Sequence, residues 1–308
     1  MKGNFWYHLL AIAIVAVWGL TFISTKVLIE AGLTPSWIFT LRFILAYAGM
    51  WFFSSKKLFC KTFFDEFLMI LLGVSGGSMY FLAENTALSY TLTTNVSFLV
   101  CTTPLVTALA AVGLEHTRLG KWLDITITVP PRWLFLGSML ALAGAGLVIF
   151  NGKFVLDLNP VGDLLAISAA ILWMVYSLIL PTAIDRYSSA FVTRKVFFWG
   201  LVTIIPFLFT EPLNLSFKEI VTSPLIMGNV LFLGLIASLA CFALWNIVMR
   251  KLGAVKGTNY IYLNPVFTLI GSVIILREPF TWLAALGACF ILLGVIASNH
   301  KGGRELEW

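Results

Sequence analysis

Residues 71–85 read LLGVSGGSMYFLAEN. Within them Gly73-Val74-Ser75-Gly76-Gly77 has the G-x-S-x-G spacing that presents a hydrolase nucleophile. A serine nucleophile needs a base within hydrogen-bond reach. The three histidines are His8, His116 and His300, two at expected helix ends and one in the tail, so none is placed to pair with Ser75. Small residues also let apolar helices approach closely, and packing is the preferred reading of the motif. An intramembrane enzyme using Ser75 is the alternative. Five residues on, Tyr80 and Glu84 share a helix face and Asn85 follows. A carboxylate in an apolar run costs several kcal/mol unless it faces protein or water. The four cysteines (Cys60, Cys101, Cys241, Cys289) lack metal or disulfide spacing, and no phosphate loop or nucleotide fingerprint is present. No catalytic residue, metal or cofactor is expected.

Composition says what must position these groups. The chain has 308 residues, of which 60% are hydrophobic and 11% charged, against about 25% charged in soluble domains. Uncharged runs long enough to cross a bilayer, roughly 17–25 residues, recur throughout. The class is an all-α membrane protein. Helices are expected near 6–30, 36–53, 67–90, 95–115, 133–151, 160–181, 191–210, 224–250, 257–276 and 280–299. Pro35, Pro160, Pro181, Pro224 and Pro279 mark ends or kinks. With the N-terminus inside, 15 Lys and Arg residues fall in cytoplasmic segments and three, Lys153, Lys218 and Arg277, in external loops. That bias orients the chain N-in and C-in and accounts for the net charge of +6 without nucleic acid.

The chain repeats itself. LLGV at 71–74, Phe81, Asn85 and Pro104 reappear as FLGL at 232–235, Phe242, Asn246 and Pro265, always 161 residues later. Trp18 aligns with Trp173 at an offset of 155, and GSMLALAG at 137–144 with GACFILLG at 287–294 at 150. Two repeats of five helices, 6–151 and 160–299, followed by a cytoplasmic tail at 300–308, must lie in opposite orientations because five is odd. Inverted repeats of this kind are the architecture of alternating-access transporters, which bind at the repeat interface.

Several residues could serve that interface. Trp18 and Thr21 share a face of the first helix; Trp173 and Tyr176 are their counterparts in the sixth. Tyr80, Asn85, Asn246, Tyr260 and Asn264 complete the candidate cavity, with helix-to-helix ties as the plain alternative for the asparagines. Lys26, Arg42 and Glu84 fall at similar depth, Glu84 roughly 8–9 Å from the outer helix end at about 1.5 Å per residue. They are candidates for a gate or coupling network, the alternative being an ion-pair cluster or snorkelling side chains. Pro104 and Pro265 remove a helical hydrogen bond at matching places, as hinges or as simple curvature.

The order of these motifs resembles the EamA-domain family of the drug/metabolite transporter superfamily. The resemblance rests on W-G-L-T-F with a following lysine (Trp18, Gly19, Phe22, Lys26), Pro35, Arg42, N-T-A-L-S-Y-T from Asn85 to Thr91, Pro104 and Pro265, the acidic Glu115 and Glu278, and a Gly-rich helix closing each half. It covers about residues 8–299. It implies ten helices, two EamA repeats, a central cavity, and export or exchange of small organic metabolites such as amino acids. The expected partners are a small-molecule substrate, protons and the lipid bilayer of a bacterial inner membrane, with no nucleic acid; the chain is expected as a monomer or weak dimer. The loop at 116–132, with Pro130-Pro131, departs from the pattern.

Overall fold

The computed structural model describes residues 5–54, 57–91, 93–123, 125, 131–150, 159–271, 273–274 and 281–299. The expected tail 300–308, with Glu278, Arg277, Pro279, Pro130, Lys2, Lys56 and Lys153, lies outside them. The described residues form helices and connecting turns without strands. We number the long helical segments α1 Phe5–Glu30, α2 Pro35–Phe53, α3 Phe63–Tyr90, α4 Thr93–Val100 with Thr103–Leu114, α5 Pro131–Phe150, α6 Pro160–Arg186, α7 Ser189–Leu208, α8 Pro224–Leu252, α9 254–271 and α10 Trp282–Asn299. Nine of these among the described residues contain an apolar stretch long enough to cross a membrane; α9 is broken into Ala254–Thr258, Asn259–Leu263 and Asn264–Gly271.

Local chemistry explains the boundaries. Pro35, Pro160 and Pro224 each occupy the first helical turn, where the missing N–H costs nothing. α3 starts four residues earlier than the expected 67, because Thr62 caps the helix by accepting from the Asp65 N–H. Hydropathy stops short of this polar first turn. α6 runs past Pro181 to Arg186 instead of ending at 181. Proline's fixed φ is helical, and the Tyr187 N–H still closes the last turn on the Ala183 carbonyl. The 116–132 loop contains a short helix, Arg118–Trp122, whose Trp122 ring packs edge-on to Phe64.

α3 and α8 carry the small-residue motifs, and both widen there into π-helical turns, Val74–Ser78 and Phe232–Ala240. These are repeat partners at the offset of 161. Gly77 leaves the helical conformation altogether (φ −126°, ψ −109°). Gly73 lies against the backbone of Trp199 and Gly200 in α7, and Gly234 against Arg42 and Leu45 in α2. α3 thus packs on α7 as α8 packs on α2. Ser75 is buried and its hydroxyl donates to the Leu71 carbonyl at 2.6 Å, so it is tied into its own helix.

The α5–α10 contact is built on glycine. A Cβ on Gly137 would meet the Ser298 nitrogen at 2.5 Å, one on Gly144 the Gly287 oxygen at 2.5 Å, and one on Gly287 the Val148 nitrogen at 2.8 Å. The pairs are reciprocal: 137 with 298 becomes 287 with 148 when each number is exchanged at the offset of 150. Residue numbers rise on one helix as they fall on the other, so the two run antiparallel.

At the end of the bundle holding the α3 and α7 N-termini, a polar cluster joins the first half to the second. Glu66 pairs with Lys195 and accepts from Trp199 Nε1 at 2.7 Å and the Cys60 N–H at 2.9 Å. Asp65 accepts from Arg186 at 2.9 Å and from the Tyr187 hydroxyl at 2.8 Å. Arg194 donates to the Lys57 carbonyl. Cys60 sits beside Glu66, and burial there pushes its thiol pKa up to about 12, which keeps it protonated. At the opposite end the corresponding joint is lighter. The Ser36 N–H and hydroxyl donate to Glu211 Oε2 at 3.0 and 2.7 Å, and Trp37 Nε1 donates to the Glu211 carbonyl at 3.0 Å.

Two predictions follow from these contacts. Lys195→Met leaves Glu66 facing a buried gap without its cation, a loss of about 3–5 kcal/mol; Glu66→Gln with Lys195→Met should recover much of it. Thermal unfolding in detergent measures both, and equal melting temperatures for wild type and Lys195→Met would remove the ion pair from the stabilising set. Gly144→Ala drives a methyl into the Gly287 carbonyl and should cost about 1–3 kcal/mol. Gly113→Ala, with open space around it, should be neutral in the same assay.

Candidate functional site

Between the two halves lies a cavity of about 450 Å³, counted to its mouth. Its walls come from α1, α2, α3, α4, α6, α8 and α9. Aromatic rings form most of the enclosure. Trp18 meets its repeat partner Trp173 edge-on at 5.4 Å and 89°, and Phe81 meets its partner Phe242 at 6.3 Å. Tyr80 lies 4.8 Å from Trp173. Equivalent residues of the two halves thus touch each other across the middle of the molecule.

The broken helices supply the rest. α4 is interrupted at Cys101–Thr102 and restarts at Thr103 with Pro104 behind it. α9 tightens into a 3₁₀ turn at Asn259–Leu263 and restarts at Asn264 with Pro265. The lining residues from these breaks are Val100 and Thr103 in one half, Ile261 and Asn264 in the other. They are again partners at the offset of 161. Irregular backbone at membrane depth is tolerated where it is buried in protein or lines a cavity.

Two opposite charges face this space. Arg42 is buried to 2% exposure; its Nε donates to Ser238 Oγ at 2.9 Å and its guanidinium carbon stands 4.1 Å from the centre of the Phe81 ring. Ser238 belongs to the π turn of α8, so the second half holds the arginine of the first. Glu84, 8% exposed, accepts from the Tyr80 hydroxyl at 2.9 Å through Oε1. Both line the cavity, and the ion pairs among the described residues do not include one between them. The arrangement offers a planar cationic fork, a separate carboxylate and apolar faces between.

Of the residues singled out in the sequence, Trp18, Thr21, Tyr80, Trp173, Asn264, Arg42 and Glu84 come together here. Others take different places. Asn85 donates to the Pro35 carbonyl at 3.3 Å, and Asn246 to the Ser189 carbonyl at 3.4 Å and to Thr193 Oγ1 at 2.7 Å. Each asparagine ties its helix to the N-terminus of α2 or α7, the helix-to-helix role. Tyr176 hydrogen-bonds Asn246 at 3.4 Å, Tyr260 pairs with His8, and Lys26 donates to the Leu88 carbonyl at 3.2 Å. Lys26 is spent on the end of α3 and does not reach the cavity. Phe22, Phe81, Val100, Thr103, Phe242 and Ile261 line the cavity without having been singled out for it. Phe81 and Phe242 were legible as repeat markers; Val100 and Ile261 lie four residues before the paired prolines.

Comparison with known proteins agrees with this architecture. The profile of the EamA-like transporter family matches twice, over residues 5–150 and 160–299. An uncharacterized transporter of Archaeoglobus fulgidus is 27% identical over 300 residues, spanning 96% of this chain and 97% of its own. The uncharacterized transporters YetK and YdfC of Bacillus subtilis are each 24% identical, covering 77% and 93% of this chain and 69% and 89% of their own lengths. A solved crystal structure aligns with 97% of the chain and 96% of its own at a TM-score of 0.70 and 18% identity, a likeness of fold. The relatives are named as transporters, and the serine motif lies in the turn that packs α3 on α7, with Ser75 bonded within its own helix. The chain is an integral membrane protein of the EamA-like transporter family, within the drug/metabolite transporter superfamily.

Proposed function

We propose that the chain is a secondary transporter that exports or exchanges small zwitterionic metabolites such as amino acids, by alternating access between two five-helix repeats of opposite orientation. The observation that carries this reading is that Arg42 and Glu84 line one aromatic-walled cavity with no ion pair between them among the described residues. A carboxylate suits the planar fork of Arg42, which can donate two parallel hydrogen bonds. An ammonium suits the free oxygen of Glu84 and the neighbouring aromatic faces. An apolar substituent fills the space between. A net-neutral pair of protein charges favours a ligand that carries both signs over a simple cation or anion.

The repeat contacts support the inversion. A reciprocal antiparallel pair such as α5 and α10 has its two-fold axis perpendicular to both helices. Where the helices cross a membrane, that axis lies in the membrane plane, the relation used by inverted-repeat carriers. The breaks before Pro104 and Pro265 fit hinges at the binding site. Glu84 takes the coupling proton in this scheme, exchanging it with the substrate's ammonium, and Lys26 and Arg42 belong to the surrounding gate. The Lys and Arg bias supports an N-in, C-in chain in a bacterial inner membrane.

The test is uptake into proteoliposomes of a labelled amino-acid panel, each compared with its decarboxylated amine and its deaminated acid, with and without a pH gradient. The zwitterion should enter and the single-charge analogues should not. Arg42→Met removes a buried charge-assisted contact, worth about 2 kcal/mol or more, and should lower uptake about thirtyfold or more. Glu84→Gln should weaken uptake of the zwitterion and abolish its response to the pH gradient. Equal uptake of amine and amino acid by wild type and Arg42→Met would count against the zwitterion, and flux indifferent to the gradient in all variants would indicate an uncoupled facilitator.

A further inference from the structure

Trp18 and Trp173 are repeat partners in mutual contact, yet their indole N–H groups are treated differently. Trp18 Nε1 donates to the Ala237 carbonyl at 3.0 Å, inside the π turn of α8. Trp173 is 5% exposed, and its Nε1 is buried with no hydrogen-bond partner among the described residues. The residue that corresponds to Ala237 at the offset of 161 is Gly76, inside the matching π turn of α3. Gly76 already lies against α6: a Cβ there would come within 2.1 Å of the Tyr176 ring, one turn beyond Trp173 on the same helix. The acceptor that symmetry assigns to Trp173 thus belongs to a turn packed against the same helix, one turn away from it.

A buried donor normally finds a partner, and one left unsatisfied in a native structure needs an explanation. Ligand binding is a poor one here. The nitrogen itself is shielded, and the Trp173 ring is packed on Trp18, Tyr80, Tyr176 and Phe242. An exchange of roles between the halves is a better one. In a molecule built from two related halves that alternate, each half adopts in one state the arrangement the other half has in the opposite state. The bond made in one half and missing in the other is what such a pair looks like when caught on one side.

We infer that Trp18 and Trp173 form a reciprocal hydrogen-bond switch, in which Trp18 is held by the Ala237 carbonyl in the conformation seen here and Trp173 by the Gly76 carbonyl in the opposite one. This rests on the alternating-access reading and adds the positioning residues that set its balance. The π turns are what make the switch workable, because a widened turn carries carbonyls whose helical bonds are already displaced and can accept from a neighbouring helix. The edge-on contact between the two indoles couples them: as one ring moves toward its turn, the other is released.

The experiment uses the full chain in nanodiscs with no substrate, reading spin-label distances at both ends of the bundle. One pair sits at the exposed Lys61 and Lys251, the other at the exposed Glu30 and Lys218 at the far end. Trp18→Phe removes the bond made here and should move the ratio of the two conformations roughly fivefold toward the opposite state. Trp173→Phe should move it by a similar factor the other way, and the double variant should return near the wild-type balance. Should a Phe variant fail to fold, benzothienylalanine at the same position keeps the ring shape and removes only the N–H. Shifts of opposite sign support the switch. Shifts of the same sign, or none, overturn it, and the benzothienylalanine variants, which keep the ring packing, separate loss of the N–H from loss of ring area. Because no substrate is needed, a failure of the transport assay leaves these distances readable, and a failure here leaves the transport assay standing.

Discussion

In hydrocarbon an unpaired backbone N–H or C=O costs several kcal/mol, and this cost decides where the chain can stop being helical. The long helices widen or break at the π turns of α3 and α8 and at the interruptions of α4 and α9. The α4 and α9 breaks line the cavity, and the π turns place Gly73 against α7 and Gly234 against α2. The ring of aromatic side chains, the buried Arg42 and the carboxylate of Glu84 are placed by these departures.

Much of this was legible in the sequence because the hydrophobic pattern in a membrane is coarse and strong. Nine of the ten expected segments agree with the structure to within a few residues, apart from the polar first turn of α3 and the run of α6 through Pro181; the end of the expected 257–276 helix lies outside the described residues. The matching of Pro104 with Pro265 located the broken helices. Trp18 and Trp173, read as counterparts from a single offset, lie in contact. Less legible was the direction in which a polar side chain points. Asn85 and Glu84 are neighbours in sequence, yet one ties α3 to α2 and the other faces the cavity. A helix turns about 100° per residue, so adjacent residues have unrelated fates, and spacing alone does not say which face meets which neighbour.

The halves are alike in backbone and unlike in charge. Glu84 has Trp245 as its counterpart, and Arg42 has no basic counterpart in α7. The repeat therefore supplies the shape of the cavity, and substitutions in one half supply its polarity. That division is economical in physical terms: a duplicated buried charge would double the desolvation cost without adding a new kind of contact.

The ion pairs at the end of the bundle that holds the α3 and α7 N-termini differ widely in exposure. Lys195, with 2% of its side chain exposed, and Glu66, with 14%, form a pair that mobile ions barely reach. The Arg250–Asp185 pair near the same end is 3.8 Å apart, with both side chains more than half exposed. Raising the ionic strength weakens the second and leaves the first almost untouched. The Glu66–Lys195 part of the joint between the halves therefore depends little on ionic strength, while the Asp65–Arg186 part, with Arg186 39% exposed, weakens as salt is added.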